Sequence, residues 1–553
     1  MKKGKKLVAA AMAGTLLVSS AAAMIHTNLM EVEAKENGKK QDPTNVIMLV
    51  MDGSSNNVST LSRWYKGESL ALDEILTGGV RTYSAESAIT DSAPASTALA
   101  TGHKSNSGYV GVLPSSVTTP GVEQVKEEEA FKPVANVLEG AKKSGRATGI
   151  VSTSEIQHAT PAGFSSHVAS RSNYDDIAEQ QVYQGIDVVL GGGLDSLKET
   201  RKDGENLLEV IEEQDYELVT TREELLKTNA DKIWGAFAPA ALAYDFDRGL
   251  TKAEEPTLAD MTKKAIDTLD KDKDGFFLMV EGSKIDWAAH ANDTIGMISD
   301  FLAFDDAVKE ALEFAEKDKN TLVIAVTDHG NSGITIGNTA TTGTYDTTPV
   351  SAYIDPLKEA SMTVEGALSF LKEDKSNLEE VAALYGLKNL TEKERKALEA
   401  SEKLSATMVK LLAERANIGY TTGGHTGDDV FLYAYGPNKP SGLVDNTDLA
   451  NIMAETMNFQ LNQLTASLYI DAKSALEKKG FSVTVDQSDS SNPVLVAKKG
   501  NTTYEIPENK NSILSKITDK NGKSEVKQHT VPYVTVYNDR SFFISEEALK
   551  YIK

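Results

Sequence analysis

The chain predicts an α/β fold: a doubly wound sheet with a helical insertion and a small C-terminal α+β domain. Three observations lead there. Short uninterrupted apolar runs alternate with amphipathic, Lys/Glu-rich segments over most of the length. One later stretch turns Ala/Leu/Glu/Lys-rich throughout, as a cluster of helices does. After about Leu461 the pattern changes to β-type alternation with Asn/Gly/Lys turns.

The apolar runs at 45–51, 147–152, 187–190, 276–280 and 321–327 read as strands buried on both faces, the pattern of a parallel sheet. Segments such as 257–269 and 300–317 read as the helices between them. Residues 43–460 form the main domain on this reading. Residues 356–418 are its helical insertion, including a helix start at Thr391 that leads into 392–414. Residues 462–553 form a separate small domain, with strands at 481–486, 493–498 and 533–544.

The chain has 553 residues, 40% hydrophobic and 25% charged, a soluble globular composition. It has no cysteine, so disulfides and thiolate metal sites are excluded and any metal must be held by histidine and carboxylate. The start is basic, with Lys2, Lys3, Lys5 and Lys6, and an apolar stretch runs from Leu7 to Ile25. Residues 1–34 therefore read as an export signal, with small-x-small sites at Val32-Glu33-Ala34 and, earlier, Ala21-Ala22-Ala23. The stretch also approaches bilayer-spanning length, so an uncleaved anchor stays open beside cleavage. The expected location is secreted or cell-surface.

The formal charge is −24, and four lysines against two glutamates in residues 1–34 leave −26 on the remainder. Such a surface repels nucleic acid, and no basic, aromatic-rich patch offsets it. An anionic substrate fits only if metal ions dominate the local field.

Chemistry-bearing residues concentrate in a few motifs: Met51-Asp52-Gly53, Asp91-Ser92-Ala93, Glu281 to His290, Asp328-His329 and Gly424-His425-Thr426-Gly427. Three of the eight histidines sit in them. Asp52, Glu281, Asp328 and His329 each follow a strand, where doubly wound sheets place their ligands. Ser92 opens a Pro/Ala-rich helix, where a serine is a nucleophile favoured by the helix dipole or simply a cap. Asp286 and His290 are four apart on one helix face, suited to one metal or to a structural hydrogen bond. Asp328-His329 alone reads equally as a turn pair, and His425 among glycines as a loop histidine. Their joint occurrence is what points to phosphate-ester hydrolysis with divalent metals.

Two other signals are set aside. Asp270, Asp272, Asp274, Gly275 and Glu281 satisfy the EF-hand spacing, but an apolar run stands where that loop exposes ligands. Gly191-Gly192-Gly193 lacks the full nucleotide-loop spacing and reads as a tight strand exit. His103 and His167 lie beside the motifs and read as structural.

The segment 90–102, Thr-Asp-Ser-Ala-Pro-Ala-Ser-Thr-Ala-Leu-Ala-Thr-Gly, resembles the nucleophile segment of the alkaline phosphatase family, of the exported Bacillus type. Residues 154–161 and 167–171 resemble its magnesium and phosphate-clamp segments, 280–286 and 327–329 its zinc segments, and 424–427 the segment of its last ligand. The resemblance runs from about Asn45 to Met457, apart from the insertion.

It implies two zinc ions and one magnesium. Asp286, His290 and His425 would hold the first zinc; Asp52, Asp328 and His329 the second. Asp52 would bridge to the third site, with Glu281 and Thr160. Ser92 would be phosphorylated and then hydrolysed, with Arg171 gripping two phosphate oxygens; without the family, Arg171 reads equally as a surface ion pair. Two positions depart from enterobacterial members: His158 stands in place of Asp, and Trp287 in place of Lys. Imidazole at 158 favours zinc or cobalt over magnesium in the third site.

The expected activity is that of an exported phosphomonoesterase acting on small phosphate monoesters. A phosphodiesterase or sulfatase of the same superfamily is the first rival, opposed by Ser92 and, for sulfatases, by the lack of cysteine. A non-catalytic exported binding protein is the second. Residues around 471–476 and 533–545 weakly resemble a repeat module of exported Firmicute proteins, which implies cell-wall or membrane-surface association. A homodimer is left open.

Overall fold

The computed structural model describes residues 44–553. The export segment read over residues 1–34 lies outside the described residues. Among those described, no helix is long and apolar enough to cross a membrane.

A ten-stranded sheet organises the chain. From one edge its strands are Gly442–Asp445, Leu76–Arg81, Val430–Tyr435, Thr321–Val326, Asn45–Met51, Phe276–Gly282, Ala147–Glu155, Val188–Gly192, Ile233–Ala236 and Glu217–Val219. All neighbours pair in parallel except Val430–Tyr435, which is antiparallel to both of its partners.

The central strand Asn45–Met51 is buried along its whole length. Ile47, Leu49 and Met51 join one apolar cluster and Val46, Met48 and Val50 the other, as strand alternation requires between two helical layers. Each such side chain contributes about 1.5–3 kcal/mol on burial. One layer includes Leu258–Leu269 and the 25-residue helix Thr294–Asp318. The latter starts six residues before the apolar periodicity at 300–317, because Asp293 Oδ1 accepts from Ile295 N at 3.0 Å and caps it. The acidic 270–275 turn leads into the fully buried strand Phe276–Gly282, where an EF-hand loop would expose ligands instead. Gly191 and Gly192 end a strand, and Gly193 leaves it at φ 93°.

Five strands of this sheet were not foreseen: Leu76–Arg81, Glu217–Val219, Ile233–Ala236, Val430–Tyr435 and Gly442–Asp445. The first carries Gly78-Gly79, which reads as a turn. Its glycine is required by the neighbouring strand, since a Cβ at Gly78 would lie 1.9 Å from Gly442 O.

The insertion consists of short helices: Ser351–Lys358, Val364–Ser369, Leu378–Leu384, Glu392–Glu399 and Leu404–Arg415. The helix expected over 392–414 is therefore two, the first opened by a Thr391/Glu394 capping box. Just past the insertion the chain returns to Ser332, whose N donates to Gly424 O at 3.0 Å and whose carbonyl accepts from Thr421 N and Thr422 N at 3.1 Å.

The C-terminal region carries a five-stranded antiparallel sheet, 482–530, and a three-stranded one built from Ile470–Asp471, Val536–Tyr537 and Phe542–Ile544. Leu476, Leu495, Ile506 and Ile513 centre its own core. The preceding helix Leu461–Leu468 and Tyr533, Val534 and Phe543 belong instead to the main core.

Candidate active site

The strands Asn45–Met51, Phe276–Gly282, Ala147–Glu155 and Thr321–Val326 lie side by side, so their carboxyl ends open on one place. Asp52 follows the first, Glu281 ends the second, and Asp328-His329 follows the fourth. His425 arrives on a two-residue strand, His425–Thr426, paired antiparallel with Gly330–Asn331. That pairing brings a residue 96 positions later in the chain onto His329, with ring centroids 3.6 Å apart.

Three groups of ligand atoms result: Asp286, His290 and His425; Asp52, Asp328 and His329; and Asp52, His158 and Glu281. In the first, His290 Nε2 lies 3.4 Å from Asp286 Oδ2, and His425 Nε2 lies 3.7 Å from Asp286 Oδ1. In the second, His329 Nε2 is 3.1 Å from Asp328 Oδ2 and 3.5 Å from Asp52 Oδ1.

The ring nitrogens are oriented by the main chain. Nδ1 of His290 faces Gly423 O at 2.9 Å, that of His425 faces Thr90 O at 2.8 Å, and that of His329 faces Gly330 O at 3.2 Å. A carbonyl can only accept, so each Nδ1 carries the proton in a neutral ring and each Nε2 lone pair turns inward. This is the donor set a divalent cation takes from imidazole and carboxylate.

Asp52 is fully buried, yet neither of its carboxylate oxygens receives a hydrogen bond. Glu281 Oε1 is likewise unpartnered, while Oε2 accepts from Ser152 Oγ at 2.5 Å. Buried carboxylates without donors are costly unless a cation satisfies them. The residues therefore fit a metal cluster.

The titration behaviour has the same origin. Burial pushes Asp52 well above the usual carboxylate range, and the charges of Asp328, Asp286 and Glu281 push it further. Burial likewise raises Glu281 to about 7. Burial also acts upward on Asp286 and Asp328, but neighbouring imidazoles hold both below their ordinary values. His329 rises to about 9: burial works against its charge, and Asp328 outweighs it.

Ser92 is the first residue of the buried helix Ser92–Thr101, with Asp91 at the N-cap position. It makes no cap. Its Oγ lies 3.1 Å from His329 Nε2, at the edge of the carboxylate–imidazole cluster. Arg171 pairs with Asp91 Oδ1, and its Nη2 donates to His158 Nε2 at 3.0 Å. The partner of this arginine is thus the neighbour of Ser92 in the chain. The Trp287 ring meets His158 edge-on at 5.9 Å. Thr160 is buried two residues after His158, in the short helix Ala159–Gly163. All eleven singled-out residues therefore gather in one region. His167 lies apart, hydrogen-bonded to Gly111 O, Glu139 and Tyr469. His103 lines a separate 450 Å³ cavity.

Sequence reading missed the supporting residues. Asn331 Nδ2 donates to Asp286 Oδ1 at 2.7 Å, and Gly53 N donates to Asp328 Oδ1 at 3.1 Å. Asp91 holds Arg171, and Ser152 and Ser154 hold Glu281. Their one sequence signal is adjacency to a motif: Asn331 stands two after His329, and Asp91 precedes Ser92.

A serine hydroxyl, an arginine and clustered carboxylates and imidazoles at the strand ends of a doubly wound sheet define the class: a hydrolase. The alkaline phosphatase family profile matches residues 43–459. "Alkaline phosphatase 4" of Bacillus subtilis is 39% identical over 446 residues, covering 76% of this chain and 90% of that protein. The Thermus thermophilus alkaline phosphatase structure superposes with a TM-score of 0.66 at 28% identity, covering 76% of this chain and 92% of that one. A histidine-to-aspartate variant of the TAB5 alkaline phosphatase, with Mg bound in its M3 site, superposes at 0.54 and 26% identity, covering 76% of this chain and all of that one. The chain belongs to the alkaline phosphatase family, and it is a phosphoric monoester hydrolase.

Proposed function

We propose that this chain is an exported, metal-dependent phosphomonoesterase that works through a phosphoserine at Ser92 and releases inorganic phosphate. The observation that carries the reading is the convergence of three His/Asp/Glu groups beside the Ser92 hydroxyl. Asp286, His290 and His425 would hold one zinc, and Asp52, Asp328 and His329 a second. Asp52, Glu281 and Thr160 would hold the third ion, magnesium, with zinc or cobalt favoured where His158 also binds. Such ions, when bound, supply Lewis-acid activation of a hydroxyl and of water.

The chain's own residues do the rest. Ser92 presents its hydroxyl at a helix N-terminus, whose free N–H groups favour negative charge there. Its attack on phosphorus forms an Oγ–P bond as the ester P–O bond breaks and the alcohol leaves. Water then cleaves the Oγ–P bond, returning Ser92 and releasing phosphate. Arg171, oriented by Asp91, offers a planar fork to the phosphate oxygens. Because the contacts named here address the phosphate, broad monoester specificity follows.

The TAB5 variant with aspartate in place of a histidine has Mg bound in its M3 site. That supports His158 as the residue that sets third-ion preference here. Export rests on residues 1–34. Residues 462–553 are proposed to associate with the cell wall or membrane surface, and a chain truncated before them should then be lost from the cell fraction.

Release of p-nitrophenol from p-nitrophenyl phosphate, with and without a chelator, tests the activity. A preference for bis(p-nitrophenyl) phosphate would favour a diesterase, and no turnover of either ester would favour a binding protein.

A further inference from the structure

The chain segment that carries Arg171 is fixed from two sides. Arg171 N donates to Gly108 O at 2.7 Å, and Gly108 N donates to Asp91 Oδ2 at 2.9 Å. Three residues earlier, Val168 bridges to Val110. At the far end stands His167, and there the main chain is gripped by a side-chain amide. Gln180 Oε1 accepts from His167 N at 2.7 Å, and Gln180 Nε2 donates to His167 O at 3.1 Å.

Gln180, on the helix Tyr174–Gln184, is 1% exposed, so water does not satisfy its second amide hydrogen. That hydrogen goes to Asn509 Oδ1 at 2.9 Å, in the C-terminal region beyond the matched residues. Asn509 is itself 3% exposed and held on each side. Its N donates to Thr535 O at 2.8 Å, and its Nδ2 donates to Glu179 Oε2 at 3.1 Å. Because Oδ1 can only accept, it fixes which end of the Gln180 amide faces His167 N. Beside it, Lys510 Nζ contacts Glu205 Oε1 at 2.7 Å and Glu179 Oε1 at 3.3 Å, which fastens the module without touching Gln180.

We propose that Asn509 is a positioning residue for Arg171, acting through Gln180 and the His167 main chain. The C-terminal module thereby takes part in holding the phosphate-gripping arginine. The inference rests on Arg171 binding phosphate as proposed above. A guanidinium fork grips a tetrahedral oxyanion only when both its N–H groups are aimed, so loss of the strut weakens phosphate binding before it alters the later chemistry.

The full-length enzyme is compared as wild type, Asn509→Gly, Lys510→Ala, Arg171→Ala and the N509G/R171A pair. Glycine keeps the φ of 59° at this position, which alanine would strain. The readouts are kcat and KM for p-nitrophenyl phosphate, the competitive inhibition constant of inorganic phosphate, and Tm. N509G is expected to raise KM and the inhibition constant several-fold, with a smaller change in kcat. It should add nothing in the R171A background. K510A is expected to lower Tm and leave the inhibition constant alone. Gln180→Met, near-isosteric and without the amide, makes the same cut from the catalytic side and should raise the same two constants, so the inference stays testable if N509G fails to fold. Unchanged constants in N509G, or in Q180M where N509G does not fold, overturn the inference. So does an equal rise with and without Arg171. An inhibition constant unmoved by R171A alone instead removes the reading of Arg171 itself, and this inference with it.

Discussion

His290 Nε2 and His425 Nε2 lie 3.2 Å apart, while each ring's Nδ1 faces a backbone carbonyl. Two lone pairs aimed at each other repel, and Asp286 adds a carboxylate to the same space. A cation between them turns repulsion into ligation. Dialysis against a strong chelator should therefore abolish p-nitrophenyl phosphate hydrolysis, and added zinc should restore it. Chelation should also lower Tm, because the ion binds only the folded arrangement. Full activity and an unshifted Tm in the chelated protein would refute a metal at this group.

Ser92→Ala should lower kcat by about three orders of magnitude or more, since the nucleophile is lost while the surrounding groups remain. Trapping with acid after incubation with labelled phosphate should recover label on Ser92 in the wild type and none in the variant. Near-normal turnover in S92A would sink the phosphoserine route.

His158 faces a choice that the geometry makes explicit. Its Nε2 accepts from Arg171 Nη2 at 3.0 Å, which puts the proton of the neutral ring on Nδ1. In that state neither nitrogen is free to ligate a cation, although the ring stands with Asp52 and Glu281. An aspartate escapes the conflict, with one oxygen for Arg171 and one for an ion. His158→Asp should therefore make both activity and Tm more responsive to magnesium, read by titrating the metal-stripped protein with magnesium and with zinc. Identical metal profiles would separate His158 from the third site.

The sequence revealed the site better than its supports, for a physical reason. Asp52, Glu281, Asp328 and His329 follow uninterrupted apolar strands, and strand ends are where such sheets converge, so their meeting was legible from position. His425 alone reads as a loop histidine and stood out only in company with the other motifs, since its place depends on the pairing of His425–Thr426 with Gly330–Asn331 across the whole insertion. Strands such as Leu76–Arg81 escaped because Gly78 and Gly79 look like a turn until the close neighbour at Gly442 is known. Asn331, Gln180 and Asn509 are ordinary polar residues whose roles exist only in three-dimensional contact.

Gly53 has φ 67°, and a Cβ placed there would lie 2.3 Å from Asp286 Oδ1. Its N–H also holds Asp328 Oδ1. Gly53→Ala combines backbone strain with a clash against a proposed metal ligand. Activity should fall by at least about tenfold, the effect of losing about 1.4 kcal/mol of transition-state stabilisation. Isothermal titration of the metal-stripped variant should show weaker zinc binding. Wild-type zinc affinity in G53A would mean that Asp286 is not a ligand.

Glu508 gives the module a pH dependence separate from the active site. Burial first, then the charges of Asp176, Glu179 and Asp539, push its carboxyl up to about 8 from an ordinary 4.5, with Lys202 opposing. An acid whose folded value is raised binds its proton more tightly folded than unfolded. The stability it contributes is whole below about pH 4.5, declines as pH rises, and is lost above about pH 8. Glu508→Gln cannot ionise, so it removes the penalty where an alkaline enzyme would work. Its Tm should exceed that of wild type at pH 9 and differ little at pH 4.5. Equal Tm differences at both pH values would show that Glu508 does not ionise against its neighbours, and that Lys202 or solvent already satisfies its charge.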